Sequence, residues 1–441
     1  MKRNEAYFME YTPCIIIPGI GQSKMELLDE NNQKIKMAWQ LDVDSDALIK
    51  KLKFPMLRSV IFRCDSGLSK KMAEAVSDIV SPIAHNPDGT MKNNVRVVDY
   101  PQSLAECTED ERDYIYRMVP VQHLSHIITE NNMYFFAFNS FGMPYEIAAD
   151  LNDYIQKVKA KHNCDKVNLI PISLGGAMSI AYFDAYGYKD IKRVMYFVPA
   201  LQGTPIISSL VDMDIDIDNA LSLVRFMFPR STADMLEKVL GLLPKKVGEK
   251  LIMSAFGALN EDVVLPCGAM WATVPPEKYS SLAGKHLRDE KYATLKEQTD
   301  RFYKAQAAFP EDVKKMKADG VEFFAVVGYG LQLMPIVRTD LNSDGVINTS
   351  SASLGAELAP LGETLEGKEN SDYISPDGII DASKSILPDT VWYFKDQFHD
   401  GIAYNDTALN VAAKVLSDDS FNSVYSSPDY PRFGVKQDNR K

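Results

Sequence analysis

Lys166-Val-Asn-Leu-Ile-Pro-Ile-Ser-Leu-Gly-Gly-Ala177 is the stretch from which the rest of the chain is read. Val167 to Ile170 is a short apolar run, the pattern of a strand buried on both faces. From Gly175 a helical pattern opens, with Ala177, Met178, Ile180 and Ala181 on a packing face. Ser173 stands between them on a turn one residue long. A serine on a sharp strand-to-helix turn projects clear of the backbone at a helix N-terminus, the geometry of a nucleophile elbow. Gly175 and Gly176 suit such a turn, because a side chain there would meet the strand or shield the serine. The usual pattern is G-x-S-x-G, and Pro171 stands where its first glycine would be. Proline fixes φ and removes a donor. The same stretch therefore also reads as a serine capping an ordinary helix of an α/β domain, and the remainder of the chain has to decide.

Outward from this stretch the alternation repeats. Pro13 to Pro18 holds Cys-Ile-Ile-Ile, a continuous apolar run that predicts a central strand. The loop Gly19-Ile-Gly-Gln-Ser23 follows at its C-terminal end, where sites form in open α/β sheets. Backbone N–H groups exposed there would make an oxyanion hole, with Ile20 as one donor and Leu174, just after the serine, as the other. A tight strand-to-loop turn is the plainer reading. No G-K-[ST] follows, so the pattern is not that of a phosphate loop. Asp42 to Ser81 reads as polar and helical, Val95 to Asp99 as a short strand, and Asp110 to Glu130 as one helix. Met133 to Phe138 reads as a strand, Met143 to Lys161 as an amphipathic helix, and Arg193 to Val198 as a strand. Such alternation predicts a mostly parallel sheet with helices on its faces.

Near Ile206 the rhythm changes to helical, Met- and Leu-rich segments broken by Pro229, Pro244, Pro266, Pro275 and Pro276. The sheet pattern resumes at Val321 to Val327. Asp340 to Asn348 follows as a tight polar turn, Gly355 to Tyr373 as an exposed excursion, and Asp377-Gly378 as a hairpin turn. Thr390 to Phe394 reads as the last strand, Asn405 to Leu416 as a closing helix, and the tail from Ser426 as frayed. The chain thus divides into a first core segment (1–205), a helical cap or lid insertion (206–320) and a second core segment (321–441).

Composition limits what such a protein does. The 441 residues are 46% hydrophobic and 24% charged, ordinary for a globular protein with a large core. A net charge of −12 argues against nucleic acid as a partner and against constitutive docking on anionic membranes. The five cysteines (Cys14, Cys64, Cys107, Cys164, Cys267) include no C-x-x-C pair, which argues against a zinc site, and their odd number precludes a full disulfide framework. Cys14 and Cys164 flank strands and read as buried small hydrophobes. No apolar run is long enough to span a membrane, and Met1 to Phe8 lacks an apolar leader segment, so a cytoplasmic protein is expected.

A serine nucleophile needs a base and an acid that orients the base. Of His85, His123, His126, His162, His286 and His399, only His399 lies on a loop between a C-terminal strand and a closing helix. Asp344 lies on the loop after the preceding long strand. Ser173, Asp344, His399 is the chain order of α/β-hydrolases, and each residue follows a strand, so all three would meet at one sheet edge. The expected fold is therefore α/β, an α/β-hydrolase with a mostly parallel central sheet flanked by helices and a helical cap insertion. Asp340, Asp377 and Asp381 stay open as substitutes for the acid. Asp340, Asn342, Asp344 and Asn348 also match positions of a calcium loop, but Ser351 stands where its bidentate carboxylate belongs. No metal and no cofactor is expected.

Several stretches together resemble the lecithin–cholesterol acyltransferase-like lipases. Ile17-Pro-Gly-Ile-Gly-Gln-Ser-Lys-Met-Glu-Leu-Leu-Asp29 resembles that family's P-G-x-x-G-x-x-L-E, and Lys166 to Gly176 its K-V-x-L-x-G-H-S-x-G-G. Asn94-Val-Arg-Val-Val-Asp-Tyr-Pro101 resembles the family's segment after its turn. Pro199-Ala-Leu-Gln-Gly-Thr-Pro205 resembles A-P-x-x-G-T/S, and Ser343-Asp-Gly-Val-Ile347 the acid-bearing G-D-G-T-V. Pro171, Ile172, Ser343 and Val346 depart from these motifs, and Ala137-Phe-Asn-Ser140 stands in place of Y-D-W-R. The resemblance implies an α/β-hydrolase with Ser173 as nucleophile, Asp344 as acid, His399 as base, and Ile20 and Leu174 as oxyanion donors. The expected substrate is an acyl ester or lipid, cleaved or transferred; the Met- and Leu-rich segments of the cap read first as cap core and, as the alternative, as a face for transient lipid-surface contact. Two alternatives stand beside it: a catalytically inactive binding protein on the same fold, and a calcium-binding module using the 340–348 loop.

Overall fold

The computed structural model describes residues 11–39, 41, 44–119, 121–227, 230–367 and 371–435. The readings that fall on Met1 to Phe8, Asp42, Pro229 and the tail beyond Val435 lie outside the described residues.

The chain begins with β1 (Cys14–Ile17), β2 (Met25–Leu28) and β3 (Lys34–Trp39), then α1 (Ser45–Phe62), α2 (Leu68–Val80) and β4 (Val95–Val97). Next come α3 (Glu109–Met118), α4 (Gln122–Ile128), β5 (Met133–Phe135), α5 (Pro144–His162), β6 (Val167–Pro171), α6 (Leu174–Tyr186) and β7 (Ile191–Phe197). A helical stretch follows: α7 (Pro205–Asp212), α8 (Leu221–Met227), α9 (Arg230–Gly241), α10 (Lys245–Leu259), α11 (Gly268–Trp271), α12 (Pro276–His286) and α13 (Ala293–Ala318). The chain then forms β8 (Glu322–Tyr329), β9 (Leu331–Gln332), β10 (Asn342–Ser343), α14 (Thr349–Ala352), β11 (Glu357–Leu358) and β12 (Ile380–Asp381). It closes with β13 (Val391–Lys395), α15 (Asp406–Ser417) and β14 (Phe433–Val435).

Seven strands form one sheet in the order β14-β13-β8-β7-β6-β1-β5, and every neighbouring pair is parallel. Side chains alternate between its faces, as a period of two requires. Ile15 and Ile17 of β1 enter one core while Cys14 and Ile16 enter the other. In β8, Phe323, Ala325 and Val327 point to the first face, Phe324 and Val326 to the second. Helices α5, α6 and α13 cover the first face, α4 and α15 the second. Both faces are thus dry, which is why the strands read as unbroken apolar runs. This is the α/β class expected from the sequence, a parallel central sheet flanked by helices. Strand order reverses at β1, whose two neighbours, β5 and β6, come later in the chain. Open α/β sheets form their crevice at that reversal, beyond the carboxyl ends of the strands.

Pro171 fits because it closes β6 rather than interrupting it. The Ile172 N–H donates to Ile17 O at 2.9 Å and the Ser173 N–H to Phe197 O at 3.0 Å, so the chain stays tied to β1 and β7 past the missing donor.

Five expectations are corrected. Val95 to Asp99 does not join the central sheet: β4 pairs with β2 in a small antiparallel sheet, β3-β2-β4, whose other two strands the sequence reading missed. Asp110 to Glu130 is two helices, because Val119 precedes a proline and is held extended, with ψ 143°. The tail does not fray from Ser426: β14 pairs in parallel with β13, and Tyr393 N donates to Arg432 O at 2.8 Å. Gly355 to Tyr373 is not wholly exposed, since β11 pairs with β12 and Ala356 and Ala359 are buried. Cys14 is buried, but Cys164 is only partly so. Between β7 and β8 the regular elements are helical. The last of them, α13, packs on α6 and β8 and so belongs to the layer flanking the sheet.

Candidate active site

Ser173, the second of the two residues between β6 and α6, has φ 51° and ψ −116°, a conformation that residues other than glycine rarely adopt. The surroundings hold it there. Ser173 O accepts from Gly176 N at 2.9 Å and from Ala200 N at 3.0 Å, and Gly175 N donates to Ile172 O at 2.7 Å. Gly175 is required because a Cβ there would collide with the Ile17 carbonyl. Strain of this kind persists where the fold over-determines the turn, and here it lifts the hydroxyl off the end of the strand.

β13 delivers the second group. Just past its end His399 is buried, with Nε2 3.0 Å from Ser173 Oγ and Nδ1 2.7 Å from Asp344 Oδ2. Asp344, 1% exposed, sits on the turn after β10. Its Oδ1 accepts from Val346 N at 2.9 Å and Ile347 N at 2.7 Å, which aims Oδ2 at the imidazole. A backbone bond from His399 N to Asp344 O, 2.9 Å, locks the two loops together. With Nδ1–H donating to the carboxylate, Nε2 carries the lone pair and faces the serine. Burial works against a charged imidazole, but the adjacent Asp344 carboxylate outweighs it, Asp400 adds to it, and the pKa of His399 ends above its ordinary 6.5.

The glycine loop after β1 lies against this group. A Cβ on Gly19 would stand 3.1 Å from Ser173 Cβ. The Ile20 and Leu174 N–H groups donate to no protein acceptor among the described residues, whereas their neighbours are engaged. Gly19 N donates to Gln22 Oε1 at 2.5 Å and Gly21 N to Ser140 Oγ at 3.1 Å. Leu174 opens α6, so its N–H also sits at the positive end of the helix.

Sequence reasoning missed the residues that brace this loop. Gln22 Nε2 reaches Met118 O at 2.6 Å, and Trp39 Nε1 donates to Gly21 O at 3.0 Å. Phe138 N donates to the buried Ser23 Oγ at 3.0 Å. Ser140 lies in the stretch that replaces the family's Y-D-W-R, and that departure was the one signal pointing to it.

Other sequence candidates sit elsewhere. His85 bonds Phe141 O, His123 bonds Asn410, His162 bonds Tyr134 and His286 bonds Asp212, while His126 is exposed. Asp377 is engaged with Ser375 and Lys395, Asp381 with Ser383, and Asp340 is exposed. The calcium-loop side chains turn to separate duties. Asn342 Oδ1 accepts from Gly330 N, its Nδ2 donates to Ala359 O, and both Asp344 oxygens are engaged as described. Among the described residues no group of three or more His, Cys, Asp or Glu could hold a metal ion. No described helix is long and apolar enough to cross a membrane.

No family model matches the chain, and no curated protein matches it. Among solved structures, phospholipase PlaB from Legionella pneumophila is similar at 12% identity and TM-score 0.28, over 50% of this chain and 37% of that one. The Tle4–Tli4 complex is similar at 13% identity and TM-score 0.30, over 72% of this chain and 74% of that one. The chain thus spans little more than a third of PlaB. Likenesses this slight bear no weight; the fold rests on the sheet's topology.

Proposed function

We propose that this protein is a serine hydrolase that cleaves a carboxylic ester through an acyl-enzyme. The supporting observation is the continuous relay from Asp344 Oδ2 through His399 to Ser173 Oγ, at 2.7 and 3.0 Å, on a serine held in a strained turn. His399 Nε2 takes the proton as Ser173 Oγ attacks the ester carbonyl. The oxyanion forms against the Ile20 and Leu174 N–H groups, which have no competing protein acceptor among the described residues. His399 then returns the proton to the departing alcohol. Water, or an acceptor alcohol in a transfer reaction, attacks the acyl-enzyme and frees the acyl group. The resemblance to lecithin–cholesterol acyltransferase-like lipases favours an acyl lipid as the ester, with 206–320 acting as a cap.

A panel of soluble and lipid esters tests the reading. Wild-type turnover on at least one ester should fall by roughly 10⁴–10⁶ in Ser173→Ala with the fold intact. Turnover retained in that variant would refute the assignment of the nucleophile. A folded wild-type protein that turns over no member of the panel would favour the inactive binding protein.

A further inference from the structure

Helix α1 is apolar on two opposite sides, and among the described residues only one side is covered. Leu52, Met56 and Val60 pack into a satellite core with Leu68 and Met72 of α2 and Val247 and Leu251 of α10. On the other side Phe54 is 71% exposed, Leu57 52%, Ile61 62% and Phe62 64%. Phe54, Leu57 and Ile61 follow helical spacing and form one stripe. Exposed apolar residues scattered singly need no explanation, but a continuous stripe does.

The stripe is edged by cations. Lys50, Lys51, Lys53, Arg58 and Arg63 lie between Ala47 and Cys64, a span with no carboxylate, in a chain whose net charge is −12. Three nearby acids are already matched, Asp78 by Lys51 at 2.6 Å, Glu74 by Lys71 at 2.6 Å and Asp65 by Lys250 at 2.6 Å, while Asp44 and Asp46 stand at the N-terminal end of α1, where Asp44 caps the Ala47 N–H. Lys50, Lys53, Arg58 and Arg63 form no ion pair among the described residues. At physiological salt a charge is felt over about 8 Å, so this local excess, not the remote negative total, meets an approaching surface.

We propose that α1 docks the protein on an anionic lipid surface, the Phe54–Leu57–Ile61 stripe entering the headgroup boundary while the flanking cations meet lipid phosphates. Aromatic and aliphatic residues on a helix face bordered by Lys and Arg suit that boundary, where long cationic stems extend along apolar surface and keep their heads in the polar layer. The choice of lipid over another occupant rests on the ester-hydrolase reading of Ser173. The face lies outside the 206–320 segment to which lipid contact was first ascribed.

Flotation of the full-length Ser173→Ala chain with vesicles measures docking without turnover. Binding should be strong to phosphatidylcholine–phosphatidylglycerol vesicles, weak to phosphatidylcholine alone, and weakened by salt. Phe54→Ser with Ile61→Ser should reduce it at least about tenfold, and Lys53→Glu with Arg58→Glu by a similar factor, each lost cation near the surface counting for roughly fivefold. All four side chains are exposed, so in the Ser173-intact background both double variants should hydrolyse a short soluble ester as the wild type does. Vesicle binding that is absent, or unchanged in both variants, overturns the proposal. Sedimentation showing that either variant dissociates a dimer also overturns it, in favour of a second copy on this face. Soluble-ester hydrolysis without vesicle binding refutes the docking alone; vesicle binding without hydrolysis of any ester refutes the hydrolase reading alone.

Discussion

At Ser173 the backbone and the chemistry want opposite things. Its φ of 51° is costly for any residue with a Cβ, yet it is what lifts Oγ toward His399. Ser173→Gly should therefore be more stable than Ser173→Ala by about 1 kcal/mol, read as a higher midpoint in urea, while both are inactive. His399 supplies the pH dependence. Its pKa is raised, and the proposed reaction needs the neutral imidazole. kcat/KM should therefore rise with pH through a value above 6.5. The link to stability has the opposite sign: the Asp344 contact favours protonated His399, so that contribution is full below about 6.5 and fades as pH rises through the folded-state value. Asp344→Asn removes the charge that opposes burial. Stopped-flow or steady-state ester assays should then show kcat down by about 10⁴ and the acid limb displaced to lower pH. A limb left in place would mean that another group sets it. Ser173, Asp344 and His399 could be singled out in the sequence because each follows an apolar run. Gln22 and Ser140 could not, since each acts through a backbone partner that only the fold brings near: Gly21 and Ser140 are 119 positions apart. Gln22→Ala should lower kcat about ten- to a hundredfold with little change in KM, because it loosens the Gly19 loop and not substrate binding.

Strands with both faces buried were legible because a sheet covered by helices on both sides demands such short unbroken apolar runs. The elements that failed to read were those set by distant partners. β2 and β3 carry no apolar alternation strong enough to announce them, β4 was read as a strand but not as part of a separate sheet, and α1 was read as polar because its outward stripe is interleaved with lysines. β14 is short, contains Gly434, and becomes a strand only by lying along β13. That pairing steadies the strand that ends before His399: Trp392 Nε1 donates to Tyr430 O at 3.1 Å, and Asn405 Nδ2 bonds Gln397 Oε1 at 2.9 Å just upstream of the histidine. Truncation before Pro428 should lower both the melting temperature and kcat. A truncated protein with unchanged kcat would show that β13 needs no neighbour on that side.

The molecule as a whole carries its apolar residues in unequal cores. The two faces of the central sheet hold large clusters, while α1, α2, α9 and α10 share a small satellite cluster around Leu68, Met72 and Leu251. Regions with fewer buried contacts open at lower free energy than the global transition. Amide exchange should thus show α1, α2 and α10 opening while β1, β6 and β8 stay protected. Leu251→Ala should speed exchange in those helices and leave the strands unaffected; equal acceleration everywhere would mean one cooperative unit. The catalytic reading depends on the rigid part. Ser173 and His399 follow the ends of β6 and β13 in the central sheet, Asp344 follows β10 of the separate β9–β10 pair, and none comes from the satellite. The most direct test is labelling of the full-length protein with a fluorophosphonate probe, followed by mass spectrometry to locate the adduct. A single adduct on Ser173 that disappears in His399→Ala is the expected result. A folded wild-type protein that takes no label, or takes it on another residue, would contradict the account.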